Sequence, residues 1–173
     1  RCCTVCLDRD HDYLTAMLLL GLLLALFALF FATGRILNWD WQTVGSYSMG
    51  VMLIFTGISH FIYTEGMVLM LPHIVPAKTI VVYLTGVFEI IAGVGLILPK
   101  YRKSTALLLM IFLIIILPAN FKAAYDHLSL TTATYDGPGP EYLWFRVPLQ
   151  IGLILWIWYF SFRNLGKHAT DTN

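Results

Sequence analysis

Long apolar runs, separated by short polar segments, predict five transmembrane helices. The runs cover residues 14–32, 46–63, 79–98, 104–127 and 142–162. Their lengths fall within the range of about 17 to 25 residues that an α-helix needs to cross a bilayer. The pattern therefore predicts an all-α, polytopic membrane helix bundle. Its membrane domain covers residues 14–163, preceded by a cysteine-bearing extension at 1–13 and followed by a tail at 164–173.

The overall composition agrees with a membrane protein. Hydrophobic residues make up 58% of the 173 residues and charged residues 12%, about half the charged fraction of a typical soluble domain. The mean hydropathy is +0.75. The net charge of +1 gives no reason to expect a nucleic-acid partner, so membrane lipids are the expected surroundings.

The basic residues of the loops indicate an orientation. Five spans place the two chain ends on opposite sides of the membrane. The side with residues 99–104 and the C-terminus holds more Lys and Arg, and its densest cluster is Lys100, Arg102 and Lys103. Because basic loops favour the cytoplasm, the pattern predicts a cytoplasmic C-terminus and an N-terminus outside.

One acidic residue lies deep in the third apolar run. Glu89 is the single charged side chain between Thr79 and Leu98. A charged group at that depth costs at least about 3 kcal/mol, so it must face protein or water. Gly86 and Gly93 share its helix face at i−3 and i+4, and small residues let a neighbouring helix approach closely. We therefore expect Glu89 to lie inside the bundle.

Polar residues of the other predicted helices lie in the same, outer half of the membrane. They are His60, Asn120, Arg146 and Gln150, and together with Glu89 they form the candidate cofactor-binding cluster. The expected ionic contact is between Glu89 and Arg146, directly or through water, because a neutral pair costs less to bury than either ion alone. No residue is assigned a catalytic role.

Other interpretations of these residues remain open. The Glu89–Arg146 pair can be purely architectural. His60 can simply donate a hydrogen bond to a backbone carbonyl, and Asn120, which follows Pro118, can serve only to satisfy the kink there. A haem between His60 and His127 would require facing rings at an iron-sized separation, so haem is not favoured. The histidines show no tight spacing, and no metal site is predicted.

The cysteines give little information about function. Cys2, Cys3 and Cys6 contain a Cys-x-x-Cys spacing, which lowers the pKa of a thiol in redox proteins. No thioredoxin-like βαβ pattern follows it, so the segment is assigned no function.

Four segments resemble the DoxX-like family of small bacterial integral membrane proteins. They are Gly-Ile-Ser-His-Phe at 57–61, Leu-Thr-Gly-Val-Phe-Glu-Ile at 84–90, Leu-Pro-Ala-Asn at 117–120 and Arg-Val-Pro-Leu-Gln at 146–150. The resemblance covers roughly residues 46–163. It implies a four-helix core, with the first helix as an addition, in the bacterial cytoplasmic (inner) membrane.

The same resemblance guides the functional expectation. Founding members of the DoxX-like family are associated with quinone-linked sulfur oxidation and with a terminal oxidase. We therefore expect a redox-associated membrane subunit that binds a quinone or a similar lipid-soluble ring in the outer half of the bundle. The alternative is a non-enzymatic accessory or assembly subunit that packs against other membrane proteins. A transporter is less favoured, because the chain shows no inverted repeat.

Overall fold

The computed structural model describes the backbone of residues 2–130, 132–135, 137 and 139–163, and the side chains of these from residue 21 onward together with Leu18. Six α-helices follow one another: α1 (Cys2–Leu37), α2 (Trp41–Ile62), α3 (Thr64–Met70), α4 (Lys78–Ile97), α5 (Arg102–Tyr125) and α6 (Leu143–Phe162). A short 3-10 helix, Gly139–Tyr142, leads into α6. No β-strand occurs among the described residues, so the predicted all-α class is confirmed.

Within the part of the chain that the structure describes, four helices are long and apolar enough to cross a membrane: Trp41–Ile62, Lys78–Ile97, Arg102–Tyr125 and Gly139–Phe162. They fall on the last four predicted runs, so the chain is a helical membrane protein. The first predicted run lies within the continuous helix α1, whose described side chains from Gly21 to Leu37 are also mostly apolar. The side chains of Cys2, Cys3 and Cys6 and the tail at 164–173 lie outside the described residues.

Glycines bring α2 and α4 into backbone contact. A Cβ added to Gly50 would lie 2.7 Å from the carbonyl oxygen of Gly93, and one added to Gly57 would lie 2.8 Å from that of Gly86. The two pairs run in opposite chain directions, so α2 and α4 are antiparallel. The expectation that Gly86 and Gly93 admit a neighbouring helix is confirmed, and the neighbour is α2.

The segment between α2 and α4 folds back over one end of the bundle, which we call the α3 end. The short helix α3 terminates at Met70, and the following residues include Pro72 and Pro76, which cannot continue a regular helix. Ala77 takes a left-handed conformation, with φ of 48°, just before α4 begins at Lys78. The segment between these two membrane helices therefore contains a helix of its own.

A small cluster of buried apolar side chains, Met70, Ala123 and Leu128, lies at the α3 end. Among the described residues, the main apolar core fills the half of the bundle that is remote from that end. It combines residues from the first half of α2, the last turns of α4, the first half of α5 and the end of α6, with one residue of α1. The buried members are Leu23, Met49, Met52, Leu53, Ala92, Leu96, Ala106, Leu109, Leu113 and Ile157. Because most of the apolar core lies in the other half, the polar side chains of the membrane helices come together at the α3 end.

One basic residue of the predicted loop cluster is buried. Lys100 and Lys103 are exposed, whereas Arg102 is 8% exposed and its Nε donates to the carbonyl oxygen of Leu96 at 3.1 Å. Asp40 and Tyr47 lie near enough to interact electrostatically with the guanidinium group. Arg102 therefore links the turn between α4 and α5 to the start of α2, a role that its position in a basic run did not indicate.

The α2–α4 contact predicts that adding one methyl group lowers the stability of the protein at Gly93 but not at a glycine outside the contact. In Gly93→Ala the new Cβ would lie 2.6 Å from the carbonyl oxygen of Gly50, so the helices must separate. We expect a loss of about 1 to 3 kcal/mol in the free energy of unfolding, typical of overpacking. Thermal unfolding in mild detergent measures this loss. The control is Gly152→Ala, where an added Cβ meets nothing within 4 Å; equal melting temperatures for the two variants would contradict the close contact.

Candidate binding site

A cavity of about 190 Å³ lies among the helices at the α3 end. It contains four of the five predicted site residues: His60 from α2, Glu89 from α4, Asn120 from α5 and Arg146 from α6. The remaining lining residues are mostly apolar: Met67, Met70, Leu71, Val81, Val82, Thr85, Phe112, Ile116, Ala119 and Leu130. Polar groups from four separate helices thus converge on one mainly apolar space.

Glu89 is buried, and its nearest basic group is a histidine. The residue is 8% exposed, and its Oε1 lies 3.4 Å from Nε2 of His60. This distance is within ion-pair range and longer than a normal hydrogen bond. The approach depends on Gly86, since a Cβ at that position would lie 2.8 Å from the Cβ of His60. The absence of a side chain on Gly86 therefore allows the His60 ring to reach Glu89.

The direct form of the predicted Glu89–Arg146 pair is wrong. Among the described residues, the basic group within ion-pair distance of Glu89 is His60. Arg146 lines the same cavity, and its Cζ lies 5.5 Å from the centre of the Tyr142 ring. Sequence position indicated that both side chains point inward but could not give the rotation of each helix. A contact between Glu89 and Arg146 through water stays a prediction.

Glu89 also has an oxygen that the protein leaves unpaired. Its Oε2 is buried and has no hydrogen-bond partner among the described residues. An unpaired polar group in a low-dielectric interior costs about 1 to 3 kcal/mol. Such groups are rare in folded proteins and call for a specific explanation. Because Glu89 lines the cavity, a ligand is one candidate partner for this oxygen.

The fifth predicted residue, Gln150, lies outside the cavity lining and contacts the lining residue Asn120. Asn120 Nδ2 donates to Oε1 of Gln150 at 3.4 Å, and Gln150 Nε2 donates to the carbonyl oxygen of Leu113. Both amides are buried. This chain of contacts joins α5 to α6 close to Pro118, whose ring removes a backbone donor from α5. Gln150 is therefore a neighbour of the lining residue Asn120 and does not itself line the cavity.

The helix α3 forms one wall of the cavity. Met67, Met70 and Leu71 contribute to the lining. Two lysines hold the end of α3 in place, since Lys78 Nζ donates to the carbonyl oxygen of Leu71 at 2.9 Å and Lys122 Nζ to that of Leu69 at 3.3 Å. Cations at the carboxyl end of a helix are favourable because the final carbonyl groups carry partial negative charge.

Two contributors to this site, Thr85 and the helix α3, were not among the predicted site residues. Thr85 places its hydroxyl oxygen 3.2 Å from Nδ1 of His60, and α3 supplies a wall of the cavity. Thr85 lies one helical turn before Glu89, so the i, i+4 spacing was a usable signal for the threonine. No comparable signal existed for α3, because its position depends on how the chain folds back between two membrane helices.

These observations define a small integral membrane helix bundle with a partly polar cavity at one end. Residues 49–161 match the sequence model of a family described as "Domain of unknown function (DUF8561)". The match covers more than half of the chain, and the protein belongs to this family. No curated protein matches the chain, and no solved structure does.

The contact between Asn120 and Gln150 predicts non-additive effects of mutation. Gln150→Leu would leave two buried polar groups of α5 without this partner, and we expect a loss of about 1 to 3 kcal/mol in stability. Asn120→Leu alone should also destabilise the protein. Because the two side chains interact, the double variant should lose less stability than the sum of the single losses, by at least about 0.5 kcal/mol. Unfolding of all four proteins in the same detergent tests this, and simple additivity would contradict the interaction.

Proposed function

We propose that this protein is a redox-associated membrane subunit that binds a quinone, or a similar lipid-soluble ring compound, in the cavity at the α3 end. The observation that carries the proposal is the buried Oε2 of Glu89, which lacks a hydrogen-bond partner among the described residues. The other residues that line the cavity with Glu89 are largely apolar. A purely structural ion pair would be expected to use both carboxylate oxygens. A bound ring compound that carries an O–H donor, as the reduced form of a quinone does, would supply the missing hydrogen bond.

The lining residues suit an aromatic head group. Phe112 offers a ring face, and the thioether sulfurs of Met67 and Met70 make favourable contacts with aromatic rings. The amide of Asn120 has a second N–H group for a ligand oxygen. A volume of about 190 Å³ is smaller than the roughly 300 to 1,000 Å³ of pockets for drug-sized ligands. It therefore suits a single ring better than a group as large as haem.

The remaining parts of the proposal follow from the family resemblance and the charges of the loops. In a DoxX-like role, a partner subunit supplies or accepts electrons while this chain binds and orients the ring. We place the chain in the bacterial cytoplasmic membrane, with α1 as a fifth span outside a four-helix core. The exposed Lys100 and Lys103 favour a cytoplasmic location for the turn between α4 and α5, which puts the α3 end on the outer side.

Ligand binding can be tested by thermal unfolding in mild detergent with a decyl-substituted benzoquinone. At a concentration about ten times the dissociation constant, binding adds roughly 1.4 kcal/mol of stability, and we expect the melting temperature to rise by about 3 to 6 °C. Ala119→Phe fills the cavity and should abolish the shift. The matched control is Ile114→Phe on the same helix, at an exposed position, which should retain it.

The quinone test has a clear contrary result. No shift of the wild-type protein with either the quinone or its hydroquinone form, together with neither form in an organic extract of the purified protein, would rule out the proposed ligand. An equal shift in wild type and Ala119→Phe would place binding elsewhere on the protein.

A second candidate function is that of an accessory or assembly subunit. It is favoured by an apolar crevice of about 350 Å³ at the surface between α1 and α6. Its lining residues are Leu23, Leu24, Trp144, Phe145, Pro148, Leu149, Gly152, Leu153 and Trp156. Such a crevice can accept side chains of another membrane helix, because packing of apolar surfaces with small residues drives helix association in lipid.

Filling this crevice separates the two functions. Gly152→Leu adds a side chain where the protein leaves open space, so the fold should be retained. We expect loss of co-purifying membrane proteins from mild detergent extracts, with the quinone-induced thermal shift unchanged. Leu155→Phe, at an exposed position of α6 outside the crevice, is the control. If Gly152→Leu retains every co-purifying protein, the crevice is not an assembly surface.

A further inference from the structure

The hydroxyl group of Thr85 has one proton and two neighbouring acceptors. Its Oγ1 lies 2.8 Å from the carbonyl oxygen of Val82 and 3.2 Å from Nδ1 of His60. Threonine in a helix commonly donates to the carbonyl three or four residues earlier. The shorter distance therefore assigns the proton to Val82, and the Thr85 oxygen is left to accept a hydrogen bond from the histidine ring.

This assignment determines which nitrogen of His60 carries a proton. To donate to Thr85, Nδ1 must be protonated, and a neutral imidazole then has an unprotonated Nε2. Nε2 is the atom that lies 3.4 Å from Oε1 of Glu89. Two unprotonated atoms facing each other at this distance would repel. One proton must therefore lie between them, either on Nε2 of an imidazolium or on Oε1 of a neutral carboxyl group.

Both arrangements leave Oε2 of Glu89 without a proton. In the first the carboxylate is ionised, and in the second its proton is on Oε1. In either case the pair of His60 and Glu89 has no net charge, as expected for a pair buried in a membrane domain. The unpaired oxygen of this cavity-lining residue is thus a hydrogen-bond acceptor, and only a group with a donor can satisfy it.

From this proton arrangement we infer that the cavity selects ring compounds that carry an O–H donor, such as phenols and hydroquinones, over analogues that offer acceptors only, such as quinones and aryl ethers. The inference rests on the proposed function, because it assumes that the cavity binds a ring compound. Within that function, it assigns the site to the reduced form of the ligand. Thr85 is a positioning residue that sets this selectivity through the His60 ring.

The role of Thr85 follows from the alternative tautomer. If His60 carried its proton on Nε2, that N–H would donate to Oε1 of Glu89, and the acid proton would lie on Oε2. The same cavity would then present a donor and would accept a quinone carbonyl. The contact between Thr85 and Nδ1 disfavours this state, so removing the hydroxyl group should relax the selectivity without closing the cavity.

A matched pair of ligands tests the selectivity directly. The probes are 4-hexylphenol and its methyl ether, which differ at the oxygen by one donor, and their dissociation constants are measured by calorimetry with the full-length protein in detergent. We expect the wild-type protein to bind the phenol at least about tenfold more tightly. A decyl-hydroquinone and the corresponding quinone should be compared under anaerobic conditions. We expect the hydroquinone, which carries the donor, to bind more tightly than the quinone.

Variants at two threonines separate selectivity from general stability. Thr85→Val keeps the shape of the side chain and should reduce the phenol preference to below about threefold, whereas Thr85→Ser restores the hydroxyl and should retain it. Thr56→Val removes an equivalent bond to the carbonyl oxygen of Leu53 in α2, outside the cavity lining, and should leave the preference unchanged. Glu89→Leu removes the acceptor and should abolish the preference.

The possible results distinguish the two proposals. If the dissociation constants of all four ligands (the phenol, the ether, the hydroquinone and the quinone) for the wild-type protein exceed about 1 mM, the proposed function fails, and this inference fails with it. If it binds the phenol and the ether equally, ring binding stands and the donor selectivity is wrong. If Thr85→Val keeps the full preference, Thr85 does not set it. Nitrogen-15 NMR of His60 gives a test without ligand, and a ring unprotonated at Nδ1 would overturn the proton assignment.

Discussion

The close contact between α2 and α4 is the constraint on which the site depends. Gly50 and Gly57 lie against Gly93 and Gly86, so the two backbones meet at a distance that no larger residue would allow. Packing of this kind stabilises helices in lipid, where apolar side chains gain little by leaving the bilayer. The contact also brings His60 across to α4. The contact between His60 and Glu89 is thus a consequence of two helices that meet through glycine.

Three buried side-chain atoms have no hydrogen-bond partner among the described residues: Oγ of Ser46, Nη2 of Arg102 and Oε2 of Glu89. Other buried polar groups are paired. The amides of Asn120 and Gln150 bond to each other, and Gln150 also bonds to the backbone of α5. Arg102, at the opposite end, bonds to the carbonyl oxygen of Leu96. The unpaired Oε2 of Glu89 differs from the other unpaired groups because Glu89 lines a cavity. That coincidence makes ligand binding a stronger explanation than architecture alone.

The family assignment and the geometry contribute different information. Membership of a family described as a domain of unknown function identifies the relatives but gives no chemistry. The chemistry comes from the cavity itself, where one carboxyl group, one imidazole and one amide converge between apolar walls. The helix α3 forms one wall of the cavity and is held by lysines from α4 and α5. The proposal that the cavity binds a small ring therefore rests on contacts that belong to this chain.

The sequence by itself determined the class of fold and the set of polar residues, because hydrophobic length defines the membrane helices and an acidic group such as Glu89 must lie inside a bundle. Only the tertiary structure decided which of these residues meet. The rotation of α2 and α4 about their axes, set by the glycine contact, pairs Glu89 with His60. Arg146 of α6 lines the same cavity without a direct ion pair to Glu89. The tertiary structure also added Thr85 and α3 to the site, since folding back of the chain leaves no periodic signal.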